Sequence, residues 1–301
     1  MRSPWSSLRR MTSVHGKVVL ITGGARGVGE ELARRLHAKG AKLVLTDLDD
    51  GPLSALAADL GAERVLTVVA DVCDLETMQS AAEQAVSRFG GIDIVIANAG
   101  IASYGSVLVV DPDAFRRVLD VNVVGVFNTV RAALPSVIER KGYILVVSSL
   151  AAFAAAPGMA PYDASKAGVE HFANALRLEV AHHGVTVGCA HMSWIDTPLV
   201  QDTKADLPSF RTMLDSLPGP LSKTTSVQKC GEVFVKGIER RRERIYCPGW
   251  VGLIRWAKPI LTTRIGQASV LKTAPKVLPQ MDAEVTALKR SLGARTHGLK
   301  K

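Results

Sequence analysis

Tyr162 and Lys166 stand one helical turn apart in the segment Tyr162-Asp163-Ala164-Ser165-Lys166. Residues at i and i+4 share a helix face. A free phenol titrates near pH 10, too high for efficient base work at neutral pH. A neighbouring ammonium favours the phenolate and lowers that value. Ser149 ends an apolar run 13 residues before Tyr162, and its hydroxyl could hold a carbonyl or alcohol oxygen beside the phenol. These three side chains suit proton transfer at the oxygen of an alcohol or ketone. A tyrosine and lysine at this spacing also suit an ordinary surface helix. The strand-end serine and a glycine cluster upstream favour the chemical reading.

That cluster is Thr22-Gly23-Gly24-Ala25-Arg26-Gly27-Val28-Gly29. Gly23, Gly27 and Gly29 form a G-x-x-x-G-x-G pattern between the first apolar run and a helix opening near residue 28. Such glycines let backbone approach a pyrophosphate, which then meets N–H groups at a helix N-terminus. The candidate phosphate-binding residues are therefore Gly23, Ala25, Arg26, Gly27, Val28 and Gly29.

Asp47, 18 residues beyond Gly29, ends the second apolar run, and Leu48 follows it. A carboxylate there accepts from an adenosine ribose and repels a 2′-phosphate, whereas Arg26 could attract one. The balance favours NAD over NADP. Asp71-Val72 and Asn98-Ala99-Gly100 close the third and fourth runs. Each could be a cap or turn. With Asp47 they form three successive strand ends, which favours a cofactor crevice, with Asp71 accepting from the adenine amino group.

The elements that position these groups follow from the apolar pattern. Short Val/Ile/Leu-rich runs at 17–21, 42–46, 64–69, 92–96, 143–147, 185–190 and 244–247 read as strands buried on both faces. Helical stretches near 27–39, 51–60, 75–89, 113–139, 161–183 and 226–241 separate them. This alternation predicts an α/β fold, a doubly wound parallel sheet of about seven strands, in a single domain with a C-terminal extension. The expected organisation is an N-terminal arm (1–14), a Rossmann-type catalytic domain (15–249) and a basic, apolar extension (250–301). Residues 193–225, rich in Pro, Ser and Thr, read as an inserted substrate-binding loop region.

Of the 301 residues, 47% are hydrophobic and 22% charged, which excludes a disordered chain or a disulfide scaffold. Cys73, Cys189, Cys230 and Cys247 show no C-x-x-C spacing, and scattered thiols favour a reducing, cytoplasmic setting. No secretory signal follows Arg2, Arg9 and Arg10, and no apolar run is long enough to span a bilayer. His171, His182, His183 and His191 lack ligand spacing and read as solvated, so no metal is expected.

The net charge of +9 is uneven: residues 1–235 carry −2 and residues 236–301 carry +11. In the extension, Trp250, Trp256 and aliphatics interleave with Arg255 and Lys258. This pattern fits a helix packed over a cleft or a subunit partner, and secondly peripheral membrane contact. No nucleic-acid motif accompanies it.

Together, the glycine loop, Asn98-Ala99-Gly100, Ser149 and the Tyr162/Lys166 pair resemble the short-chain dehydrogenase/reductase family over roughly Lys17 to Gly249. The resemblance implies Tyr162 as acid/base, Lys166 as the ligand of the nicotinamide ribose, Ser149 as the substrate-orienting hydroxyl and Asn122 as the support of a proton-relay water. It places Ile195 and Thr197 near the nicotinamide carboxamide. Met192-Ser193 replaces the family's usual Pro-Gly. Phe153, Pro157 and Met159 are expected to line an apolar substrate side, with Trp194 either a wall of the site or core. The implied activity is NAD-dependent interconversion of an apolar secondary alcohol and its ketone by a homodimer or homotetramer. An NADP-dependent reductase and a catalytically silent NAD-binding protein acting through its tail are the alternatives.

Overall fold

The computed structural model describes residues 11–293. The N-terminal arm and the chain's last residues lie largely outside that range. Seven strands form one parallel sheet: β1 (Val18–Thr22), β2 (Lys42–Asp47), β3 (Val65–Val69), β4 (Ile94–Ala97), β5 (Tyr143–Ser149), β6 (Thr186–Met192) and β7 (Arg244–Cys247), in the order β3-β2-β1-β4-β5-β6-β7. All seven residues of β5 are buried, as expected of a run apolar on both faces. The order reverses between β1 and β4, so a crevice opens at their carboxyl ends.

The helices within the sheet layers are α1 (Gly27–Ala38), α2 (Asp50–Leu60), α3 (Leu75–Phe89), α4 (Pro112–Leu119), α5 (Gly125–Glu139) and α6 (Ala160–Val180). Then come α7 (Pro198–Asp206), α8 (Pro208–Ser216), α9 (Val227–Glu239), α10 (Val251–Leu261) and α11 (Ala268–Leu288). Leu32, Leu36, Leu53 and Phe234 of α1, α2 and α9 pack with Ile21, Leu43 and Leu45 on one face. Ala85, Val130, Val137 and Val169 of α3, α5 and α6 pack with Leu20, Val95 and Val146 on the other.

Two regions differ from the sequence reading. The stretch expected as one helix over 113–139 contains a π-turn, Asp120–Val124, between α4 and α5. Residues 193–225 are not a loop but carry α7, α8 and a 3₁₀ turn at Gly219–Ser222. Proline at the first turn of α7 and α8, and the Thr197 side chain capping α7, start helices too short to show a periodic pattern.

The extension also folds back onto the body. Val277, Met281 and Val285 lie on one face of α11 and are buried among Tyr104, Met159, Phe210 and Met213. Each contributes about 2 kcal/mol of burial. Asp282 accepts from the Ser106 amide and hydroxyl, both at 2.7 Å, and Arg290 pairs with Asp206 at 2.8 Å. Leu292 then bridges to Ser103 in antiparallel fashion.

Candidate active site

Gly23 and Gly27 have φ of +63° and +57°, the left-handed region glycine tolerates. A Cβ at Gly29 would collide with the Gly23 carbonyl. The Asn98 amide donates to the Thr22 and Gly23 carbonyls (3.0 and 3.1 Å), and the Thr22 hydroxyl accepts from the Asn98 and Ala99 amides (3.1 and 3.2 Å). Asn98 thus clamps the glycine loop to the end of β4 across the point where strand order reverses.

The cavity in front of this loop is lined by Gly23, Arg26, Gly27, Val28, Asp47, Leu48, Asp71, Val72, Asn98, Ala99, Gly100 and Thr197. Ala25 and Gly29 shape the loop behind it. Asp47 accepts from the Ala25 amide at 3.2 Å. Arg26 pairs with Asp49, and this guanidinium holds the Asp49 carboxyl below the usual carboxylate range. Asp71 accepts from the Cys73 amide at 2.9 Å and from Arg117 at 3.3 Å. Burial pushes the neighbouring Cys73 thiol up to about 12, with the Asp71 charge adding to the shift. Arg117, Leu199, Asp202 and Gly293 also line the cavity and were not foreseen. Gly293 belongs to the returning extension, and no local pattern marks it.

A second cavity adjoins the first. Met192, Thr197 and Leu199 line both. Ser149 at the end of β5 and Tyr162 in the first turn of α6 both line it, and the Ser149 hydroxyl donates to the Met192 carbonyl at 3.4 Å. Burial pushes the Tyr162 phenol up to about 12, against a lowering effect of the neighbouring Ser149 hydroxyl. The Lys166 ammonium, expected beside the phenol, is engaged by the backbone. Its Nζ donates to the Val147 carbonyl at 3.1 Å and lies 5.6 Å from the Tyr162 ring centroid. Burial lowers that ammonium to about 8.

A Cβ on Gly100 would lie 3.2 Å from Asn122 Oδ1 and 3.3 Å from Lys166 Nζ, so the missing side chain brings these two groups together. Asn122 sits in the π-turn, wholly buried. Its amide donates to the Ile101 carbonyl and the Ser165 hydroxyl, both at 2.9 Å, and its Oδ1 accepts from the Ile101 amide at 2.8 Å. The π-turn re-aims Asn122 toward the loop after β4.

Beyond Tyr162 the second cavity is mostly apolar: Ala102, Met159, Trp194, Ile195 and Val200, with Tyr104. Trp194 combines both expected roles, lining the cavity and meeting Phe210 edge-on at 5.4 Å. Ile195 lies here, away from the cofactor cavity. At the Met192-Ser193 departure, the Ser193 amide donates to the Cys247 carbonyl at 2.9 Å, tying the chain to β7. Asp163 also lines the cavity. Its Oδ2 accepts from the Ala156 amide at 2.9 Å, its Oδ1 has no partner, and burial raises it to about 7.

Two expectations need correction. Phe153 does not line this cavity: it packs with Leu150, Ala152 and Val251, and Pro157 lines a neighbouring cavity. His191 is not solvated. It is fully buried on β6, stacked on Phe153 at 4.5 Å, and burial lowers its imidazole to about 3. His171, His182 and His183 are exposed. Among the described residues no group of His, Cys, Asp and Glu is arranged to hold a metal ion.

A glycine-lined cavity at the switch point of a doubly wound sheet, joined to an apolar cavity bearing a phenol and a hydroxyl, places the protein among the nicotinamide-dependent oxidoreductases. Residues 17–208 match the short chain dehydrogenase family. The chain is 33% identical over 248 residues to the (-)-trans-carveol dehydrogenase of Rhodococcus erythropolis, covering 72% of this chain and 90% of that one. It is 38% identical over 198 residues to a mitochondrial borneol dehydrogenase of Lavandula x intermedia, covering 65% and 74%. Among solved structures, a 3-ketoacyl-(acyl-carrier-protein) reductase from Brucella melitensis complexed with NADH is 30% identical with a TM-score of 0.70, covering 78% of this chain and 97% of that one. A short chain dehydrogenase from Mycobacterium paratuberculosis bound to NAD is 27% identical with a TM-score of 0.71 and the same coverage. The chain belongs to the short-chain dehydrogenase/reductase family. It is an oxidoreductase that acts on CH–OH groups with a nicotinamide cofactor.

Proposed function

We propose that the protein is an NAD-dependent dehydrogenase of apolar secondary alcohols, with Tyr162 as acid/base. The observation that carries this reading is that Ser149 and Tyr162 line one cavity beside its junction with the glycine-lined one. The loop fits the cofactor: Gly23 and Gly27 line the cavity with bare backbone, and the loop opens α1. Asp47 would hold the adenosine ribose, while Arg26, engaged by Asp49, is not poised for a 2′-phosphate. The nicotinamide, when bound, accepts or returns the hydride.

The chain's own groups supply positioning and proton transfer. Ser149 donates to the substrate oxygen, and Tyr162 takes or returns its proton. The buried Lys166 ammonium beside Gly100 binds the nicotinamide ribose, and rotation of its Nζ from Val147 toward the phenol would favour the phenolate. Asn122 holds the loop after β4 and would support the proton-relay water. The apolar lining of the second cavity supports an apolar substrate, as do relatives named for carveol and borneol. A homodimer or homotetramer is supported by Val124, Phe127 and Leu178, exposed on the π-turn, α5 and α6 respectively. The free cysteines support a cytoplasmic setting.

A screen of carveol, borneol and small polyols with NAD and with NADP tests the reading. Turnover of the apolar alcohols with NAD is expected. Turnover confined to polyols, or faster with NADP at equal concentrations, would overturn it.

A further inference from the structure

We infer that α10 docks the protein onto an anionic lipid bilayer. Leu253, Trp256 and Ile260, at i, i+3 and i+7, form one stripe along the helix and are 71%, 76% and 62% exposed. The opposite side of α10 is anchored: Val251 is fully buried, and Ile254 packs with it against Leu150, Ala152 and Phe153. Ile265, 86% exposed, and Leu271 carry the apolar surface into the following turn and the start of α11. Folded monomers rarely leave a continuous apolar surface of this kind without a partner.

Charge selects the partner. From Arg244 to Met281 the sequence holds no Asp or Glu, while Arg255, Arg264, Lys272 and Lys276 fall along the same stretch; Lys258 turns to the body instead, its Nζ donating to the Ala152 carbonyl at 3.0 Å. The Arg255 guanidinium lies over the Trp256 ring at 5.0 Å from its centroid. An apolar stripe carrying an exposed tryptophan between basic side chains is the pattern of a helix lying in the plane of a charged interface. A neutral protein groove would take the stripe but leave the uniform positive flank unmatched.

The position also makes sense for the substrate cavity. Val270 and Val277 of α11 line a third, apolar cavity with Pro157 and Met213, and Ala156 lines both this cavity and the one holding Tyr162. An apolar substrate dissolved in the bilayer would have a short path inward. The docking itself does not depend on the substrate class proposed above.

The full-length chain sedimented with phosphatidylcholine vesicles, with and without phosphatidylserine, provides the test. The wild type is expected to pellet with the phosphatidylserine vesicles and to release at high salt, where surface attraction is screened. Arg264→Glu/Lys272→Glu should weaken this by about thirtyfold or more, since each basic side chain near an anionic surface contributes about a factor of five. Trp256→Glu/Ile260→Glu should abolish pelleting with an unchanged melting midpoint; if that variant melts early, the charge pair decides. Equal pelleting with both vesicle types, none with either, or unaltered pelleting of the charge variant would overturn the proposal. So would a fall in oligomer mass in the Trp256/Ile260 variant alongside a wild type that ignores vesicles, which would assign the face to a second copy of the chain.

Discussion

Arg26 in the glycine loop is ion-paired to Asp49, two residues past the Asp47 carboxylate that faces the same cavity. The one loop cation that could attract a 2′-phosphate already has an anionic partner. Nucleotide choice thus rests on a pair of residues in series rather than on Asp47 alone.

Asp49→Ala should therefore release Arg26 and tighten NADP about tenfold, the scale of one charge-assisted hydrogen bond. Asp47→Ala should weaken NAD by a similar factor and leave NADP less affected. Calorimetric titration of both cofactors against both variants reads the two effects. NADP affinity unchanged in Asp49→Ala would mean that Arg26 cannot reach the phosphate.

Asp163 makes stability depend on pH. Its folded value of about 7 lies above the ordinary carboxyl value of 3.8. Between those values the folded chain keeps a proton that the unfolded chain has lost, so stability falls as pH rises from about 4 to about 7, then levels. Asp163→Asn keeps an acceptor for the Ala156 amide and removes the buried charge. Melting curves across this range should flatten for the variant, with its melting temperature above wild type at pH 8. Parallel curves for the two proteins would remove Asp163 as the source.

Met281 is fully buried where α11 crosses the body near Gly158. Met281→Ala should cost about 2–5 kcal/mol, and the melting midpoint should fall by several degrees. A loss under about 0.5 kcal/mol, the range of surface substitutions, would show that α11 is not bound to the body as described.

The sheet was legible because its central strands are buried on both faces, which leaves unbroken Val/Ile/Leu runs such as Ile144–Val147. The glycine loop and the Tyr162/Lys166 spacing were legible because they are local in sequence. What escaped was non-local or short. Gly293 and Arg117 reach the cofactor cavity through tertiary folding that no periodicity encodes. The π-turn around Asn122 is one residue per turn away from an ordinary helix and leaves the apolar pattern nearly intact. The burial of His191 escaped because the apolar run stops at Ala190, whereas β6 continues to Met192 and carries the imidazole between Phe153 and Tyr246, which stack on its ring. The direction of Lys166 could not be read from its i+4 spacing, because a shared helix face does not fix which acceptor a flexible side chain chooses.

The central claim is that the phenol of Tyr162 exchanges the substrate proton. The most direct measurement pairs steady-state turnover of Tyr162→Phe on an alcohol oxidised by the wild type with NAD binding to the same variant. The account predicts a loss of turnover of at least about a hundredfold, the lower range for a general acid/base, with NAD affinity within a few-fold of wild type. Turnover retained within a few-fold of wild type would contradict it.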